Sequence, residues 1–299
     1  MQPFLVQNWQ IAMEPLALVR LSRLMEHSSG RPEIVVGLID GPVAMDHPDL
    51  AGSNMREVSG KQNGSCALAN SVACLHGTFV AGILSAKRGS SAPAICPGCT
   101  LLVRPIFSET AATTRRMPSA SPAELATAIT DVIGAGANVI NLSAAIAQPS
   151  SRGEHQLEQA LDYAAMRGVL VVAAAGNQGT VGSSAITHHL WVIPVIGCDL
   201  VGKPTAESNL GRSIGLRGLT APGQNITSLG TNGQAQTSGG TSAAAPFVTG
   251  AIALLWSAFH NASAARIKLA VTQAGRRSRR TIAPPLLDAW AAFEAMTIN

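Results

Sequence analysis

Three short segments hold the side chains with the sharpest chemical meaning: Gly37-Leu-Ile-Asp40-Gly, Cys74-Leu-His76-Gly-Thr-Phe-Val-Ala-Gly and Gly239-Gly-Thr-Ser242-Ala-Ala-Ala-Pro246. Between them they supply a carboxylate, an imidazole and a hydroxyl. A serine hydroxyl is a poor nucleophile until a neutral imidazole takes its proton, and the imidazole works best when a carboxylate fixes its tautomer. Taken singly, each residue has a duller explanation: a Ser after Thr at a helix start is more often an N-cap. A fourth segment, Ala173-Ala-Ala-Gly-Asn177, ends in a side-chain amide that could donate a hydrogen bond to a developing oxyanion, although Gly-Asn-Gln-Gly also reads as an ordinary turn.

Those four segments need rigid supports at defined places. Ile34 to Ile39 is an apolar run that predicts a buried strand delivering Asp40 at its end, and Leu101 to Ile106 predicts a second strand. Ala123 to Gly134 reads as a helix leading into the strand Asn138 to Leu142, and His155 to Arg167 as the next crossover helix. The near-continuous apolar run from Gly168 predicts a strand covered on both faces, and Leu190 to Gly197 repeats it. Phe79, Val80, Ile83 and Leu84 give His76 an apolar helix to start, while Thr241 to His260 reads as a buried helix whose N-terminus exposes the Ser242 hydroxyl. Alternation of this kind implies an α/β fold of three layers, a mainly parallel central sheet flanked by helices. Asp40 then lies where such sheets hold reacting groups, at a strand's carboxyl end. Ser108 to Pro122 and Gly202 to Gln236 read as loops. Residues 1–32 are expected to form an N-terminal helical extension and 33–299 a single α/β domain.

With all four segments in the order Asp, His, Asn, Ser, the chain resembles the subtilisin family from about Glu33 to Trp256. Their chain order separates it from the chymotrypsin and α/β-hydrolase arrangements. The resemblance implies a subtilisin-like fold and a serine endopeptidase with Asp40, His76 and Ser242 as catalytic triad and Asn177 as oxyanion donor. It also implies that Ser143, Ala144, Ala145, Ala175 and Gly176 contact substrate, the first three pairing with it as an added strand. Two alanines stand where the family has glycines, at 144 and 145, and the walls so assigned carry no charge, so a neutral residue before the cut is expected. Phe79 replaces a frequent second histidine that lies outside the triad. Leu38-Ile-Asp40-Gly-Pro-Val and Val103-Arg-Pro-Ile-Phe-Ser108 look most like the PatA-type leader-removing proteases of cyanobactin biosynthesis. Related macrocyclases insert a lid between the Asp and His motifs; the short interval here favours hydrolysis. A general intracellular turnover protease and an inactive scaffold are the rival readings.

The remaining features narrow the partners. A chain of 299 residues with 46% hydrophobic residues can bury a large core, and its net charge of +4 is modest. The basic run Arg276, Arg277, Arg279 and Arg280 lacks any nucleic-acid module and reads as a solvated helix end. A peptide or protein substrate, a precursor peptide included, is expected, with no nucleic acid and no membrane. The first thirty residues lack a secretory pattern, and no uncharged apolar run reaches spanning length, so a cytoplasmic location is expected. There most of the five cysteines would be thiols, and Cys96-Pro-Gly-Cys99 would mark a structural turn. No cofactor and no metal is expected: no calcium-loop pattern is present, His188 and His189 lack ligand partners, and His47-Pro-Asp49 resembles a structural turn.

Overall fold

Two apolar clusters, one on each side of a single sheet, account for most of the buried surface. The computed structural model describes residues 15–109, 118–143, 154–274 and 281–298. Among the described residues, seven strands form the sheet: β1 (Val35–Asp40), β2 (Met55–Glu57), β3 (Thr100–Pro105), β4 (Val139–Leu142), β5 (Leu170–Ala174), β6 (Val192–Cys198) and β7 (Leu219–Pro222). They pair in the order β2-β3-β1-β4-β5-β6-β7, and every pair is parallel. Parallel strands joined by helical crossovers are covered on both faces, which is why their sequences run apolar without alternation. β1 shows the division: Val36 and Leu38 join one cluster, Val35 and Ile39 the other.

Helices α2 (Val72–Ser85) and α7 (Thr241–Ala258) cover the first face, and α3 (Pro122–Gly134) and α4 (Glu154–Met166) cover the second. The result is the three-layer α/β architecture expected. α7 is long and apolar enough to cross a membrane by length and composition alone, yet 89% of that window is buried inside the protein, so it is the core helix of this fold. Helix α1 (Leu21–His27) packs on α7 and on the C-terminal helix α9 (Ala289–Thr297), sending Leu21 and Leu24 into the main cluster. Short helices α5 (Ala185–His188), α6 (Arg212–Arg217) and α8 (Ala264–Gln273) complete the order.

The sheet's chain order reverses beside β1, whose neighbours β3 and β4 continue in opposite directions. Crevices at such switch points, outside the carboxyl ends of strands, are where open α/β sheets place their ligands. Asp40 is the last residue of β1.

Two expectations need correction. Gly202 to Gln236 is not a loop: it contains α6, edge strand β7, and most of an antiparallel hairpin of β8 (Ile226–Leu229) with β9 (Ala235–Ser238). Four-residue strands punctuated by Gly and Pro carry too little periodicity to be read, and β7 exists because β6 offers it a partner, Val195 opposite Leu219. The His76 helix starts four residues early, at Val72, because Ser71 caps it by accepting the Cys74 amide hydrogen at 3.1 Å. Part of the expected loop Ser108 to Pro122, and the whole arginine run, lie outside the described residues.

Cys66 and Cys74 form a disulfide, while Cys96, Cys99 and Cys198 are free thiols. Cys96 to Cys99 is the expected turn, closed by the Cys99 amide donating to the Cys96 carbonyl, with both thiols buried.

Candidate active site

Asp40, His76 and Ser242 come from three elements and meet in one hydrogen-bonded chain. His76 Nδ1 lies 2.7 Å from Asp40 Oδ1, and His76 Nε2 lies 3.0 Å from Ser242 Oγ. The contacts span 36 and 166 positions of sequence, so only the fold can make them. Asp40 is fully buried, and its Oδ1 also accepts the Gly41 amide hydrogen at 2.6 Å. Its Oδ2 is buried with no hydrogen-bond partner among the described residues. Helix α2 can approach the end of β1 this closely because residue 77 is glycine: a Cβ there would sit 2.3 Å from the Pro42 carbonyl oxygen.

Burial pushes the His76 imidazolium towards a lower pKa, but the Asp40 carboxylate outweighs it, by charge and as hydrogen-bond acceptor, and leaves His76 above the ordinary histidine value. The ring is therefore a stronger base than a free imidazole. Ser242 is the second residue of α7, and within that helix only Ser242 and Ala258 escape burial. Its hydroxyl opens at a helix N-terminus, where the helix dipole favours negative charge.

Asn177 follows β5 and is exposed. Its Oδ1 accepts the Thr241 amide hydrogen at 2.9 Å, which fixes the side-chain amide beside Ser242 and leaves Nδ2 to donate elsewhere. Gly240, at φ 98°, adopts a left-handed conformation, and a Cβ there would meet Asn177 Nδ2 at 2.9 Å. Glycine at that position keeps Asn177 and the start of α7 in contact. Two polar groups, the Asn177 side chain and the α7 N-terminus, thus flank the Ser242 hydroxyl.

A match to the family model of the subtilase family spans residues 31–283. The chain belongs to the subtilase family. Subtilisin DY of Bacillus licheniformis is 27% identical over 259 residues, covering 85% of this chain and 87% of that protein. Among solved structures, the prenylagaramide maturation protease PagA superposes with a TM-score of 0.80 at 28% identity, over 92% of this chain and 98% of PagA. The protease domain of PatA, solved as a serine-to-alanine mutant, gives 0.81 at 30%, over 90% and 96%. This subtilase is a subtilisin-like serine endopeptidase.

The remaining site residues of this subtilase divide by location. Ser143 closes β4 and is held by a buried relay: Thr249 Oγ1 donates to Asn141 Oδ1 at 2.9 Å, and Asn141 Nδ2 donates to Ser143 Oγ at 2.9 Å. Ala144 and Ala145 lie outside the described residues. Ala175 and Gly176 lead from β5 into Asn177, and the Gly176 amide donates to Thr241 Oγ1 at 3.1 Å. A cavity of about 510 Å³ opens there, lined by Ala175, Gln178, Thr180 and His188 together with Glu154 and Glu158 of α4. Of the uncharged walls expected it includes Ala175, and Glu154 and Glu158 of the crossover helix line it as well. Elsewhere, Phe79 is buried core, and His47 is buried with Nδ1 accepting the Asp49 amide hydrogen, as a structural turn requires. His189 Nε2 meets Asp162 at 3.1 Å. Cys66, Cys74 and Glu109 are close enough to share a metal, but the sulfurs are joined to each other and Glu109 accepts the Ala67 and Leu68 amide hydrogens.

Proposed function

We propose that Asp40, His76 and Ser242 are the catalytic triad of this endopeptidase, that Asn177 and the Ser242 amide form its oxyanion hole, and that its substrate is a ribosomally made precursor peptide from which it removes the leader. The continuous chain from Asp40 through His76 to Ser242 carries the reading. In the first half-reaction Ser242 Oγ attacks the scissile carbonyl carbon while His76 Nε2 takes its proton, and Asp40 stabilises the imidazolium formed. Asn177 Nδ2 and the Ser242 N–H then hold the oxyanion. Collapse of the tetrahedral species breaks the C–N bond, and His76 returns its proton to the leaving amine. Water, deprotonated by the same ring, attacks the Ser242 ester and frees the acid product. With 36 positions between Asp40 and His76, hydrolysis is favoured over transfer to a peptide amine.

Leader removal is supported by likeness to PagA and PatA over nearly their whole described length. The cavity beside Asn177 would take the side chain preceding the cut, and Glu154 and Glu158 favour a cationic or hydrogen-bonding group there over a bulky apolar one. One experiment covers both points: incubate the purified enzyme with precursor peptides carrying Lys or Leu before the leader junction, and with casein, and read the products by mass spectrometry. A single cut, faster after Lys, is expected. Extensive casein degradation with no junction preference would assign the protein to general turnover.

A further inference from the structure

Asn209 lies in the connection between β6 and α6 and belongs to none of the four sequence motifs. Its backbone N–H donates to the Gly176 carbonyl at 2.9 Å. Its side-chain Oδ1 accepts from the Gln178 amide at 3.0 Å, the Thr180 amide at 3.1 Å and Thr180 Oγ1 at 3.0 Å. Its Nδ2 donates to the Ala175 carbonyl at 3.1 Å and to Gln178 Oε1 at 2.7 Å. A primary amide has two hydrogens and two lone-pair directions. Here all are committed, and every partner falls between Ala175 and Thr180, on both sides of Asn177. On the opposite side, Thr241 binds the Gly176 amide and Asn177 Oδ1.

We infer that Asn209 is a positioning residue: it clamps the 175–180 turn so that Asn177 Nδ2 is held in place for the oxyanion before the reaction begins. A donor to a developing charge is effective because its placement costs no reorganisation at the moment of reaction. Loss of that placement is felt in turnover more than in substrate binding. Gly176, at φ 102°, and Gly179, at φ 63°, give the same turn a conformational freedom that a clamp must remove. The inference rests on the oxyanion role proposed for Asn177 and adds a residue that touches no substrate.

Its test is a double-mutant cycle on kcat with Asn209→Ala and Asn177→Ala, each variant checked by its thermal unfolding midpoint. Asn209→Ala should lower kcat by roughly tenfold or more, within the loss expected for removing an oxyanion donor outright, and should leave KM nearly unchanged. In the Asn177→Ala background the same substitution should cost little further. Equal losses in both backgrounds, or an unchanged kcat in Asn209→Ala, would overturn the inference. Asn209→Asp serves if the alanine variant fails to fold: it keeps the acceptor for Gln178 and Thr180 but loses both hydrogens, and the same non-additivity is required of it. A wild-type enzyme without activity would reject the catalytic reading itself, whereas an active enzyme with additive losses rejects only this step.

Discussion

Two charged clusters, each centred on a buried residue, Arg104 or Asp40, sit on opposite faces of adjacent strands, and they are built to opposite ends. On the α3 side, Arg104 of β3 is 2% exposed and each guanidinium nitrogen has a partner: Nε donates to Asp131 at 2.9 Å, one terminal nitrogen to the Pro105 carbonyl at 2.6 Å and the other to Glu124 at 3.2 Å. Lys61 closes the set on Glu124 at 3.0 Å. On the α2 and α7 side, Asp40 is buried with one oxygen unpartnered among the described residues, and the chain it begins ends on a serine hydroxyl open at a helix terminus. The strand register makes them neighbours, with Ile39 beside Arg104 and Asp40 beside Pro105. A closed cluster holds elements together; an open one leaves a group able to react. With the triad proposed above, buried charge serves stability in one case and chemistry in the other.

The sharpest way to break that comparison is to change one member of each cluster. Asp40→Asn should keep the fold and the unfolding midpoint while lowering kcat by about 10⁴-fold, because His76 then adopts the wrong tautomer. Steady-state kinetics beside a thermal melt would check both halves. Arg104→Met should do the reverse: it strands Glu124 and Asp131, costs about 3–5 kcal/mol of stability in urea titrations, and leaves kcat per folded molecule unchanged. A large kcat loss in that variant would mean that the two faces are not independent.

Smaller effects appear in pH dependence, with opposite signs. Because Asp40 holds His76 above the ordinary histidine value, kcat/KM should fall as pH drops through a pKa above that value, and in Asp40→Asn the acid limb of the residual activity should move lower. For stability, a raised folded pKa contributes fully below the unfolded value, so the proton-linked part of the Asp40–His76 contribution is lost as pH rises through the folded one. Burial would raise the Glu124 carboxyl, but Lys61 and Arg104 hold it below its usual value. Its contribution is present above the unfolded pKa and is lost as pH falls through the folded one, so acid should loosen the α3 face first. Hydrogen exchange along α3 at falling pH would show it.

Much of this architecture was legible because it is local. Strands covered on both faces must be continuous apolar runs, so β1, β3, β5 and β6 stand out, and Asp40, His76 and Ser242 sit in segments whose small residues announce close packing. What escaped is what depends on meeting across the chain. The Glu154 and Glu158 carboxylates enter the cavity only because α4 crosses back over the sheet. Asn209 reaches Gln178 from 31 positions away, and nothing in Ser-Asn-Leu-Gly marks it. Cys66 and Cys74 were two of five cysteines until the β2–α2 connection brought them together. Strand β9, with its four residues only half covered, had no apolar pattern to read.

The claim that joins these observations is that the buried charge of Asp40 is spent, through His76, on making Ser242 a nucleophile. Labelling with a fluorophosphonate, followed by peptide mapping, tests it most directly. One adduct is expected, on Ser242, absent in Ser242→Ala and strongly slowed in His76→Ala; a folded wild-type protein that carries no adduct, or carries it on another residue, would overturn the triad.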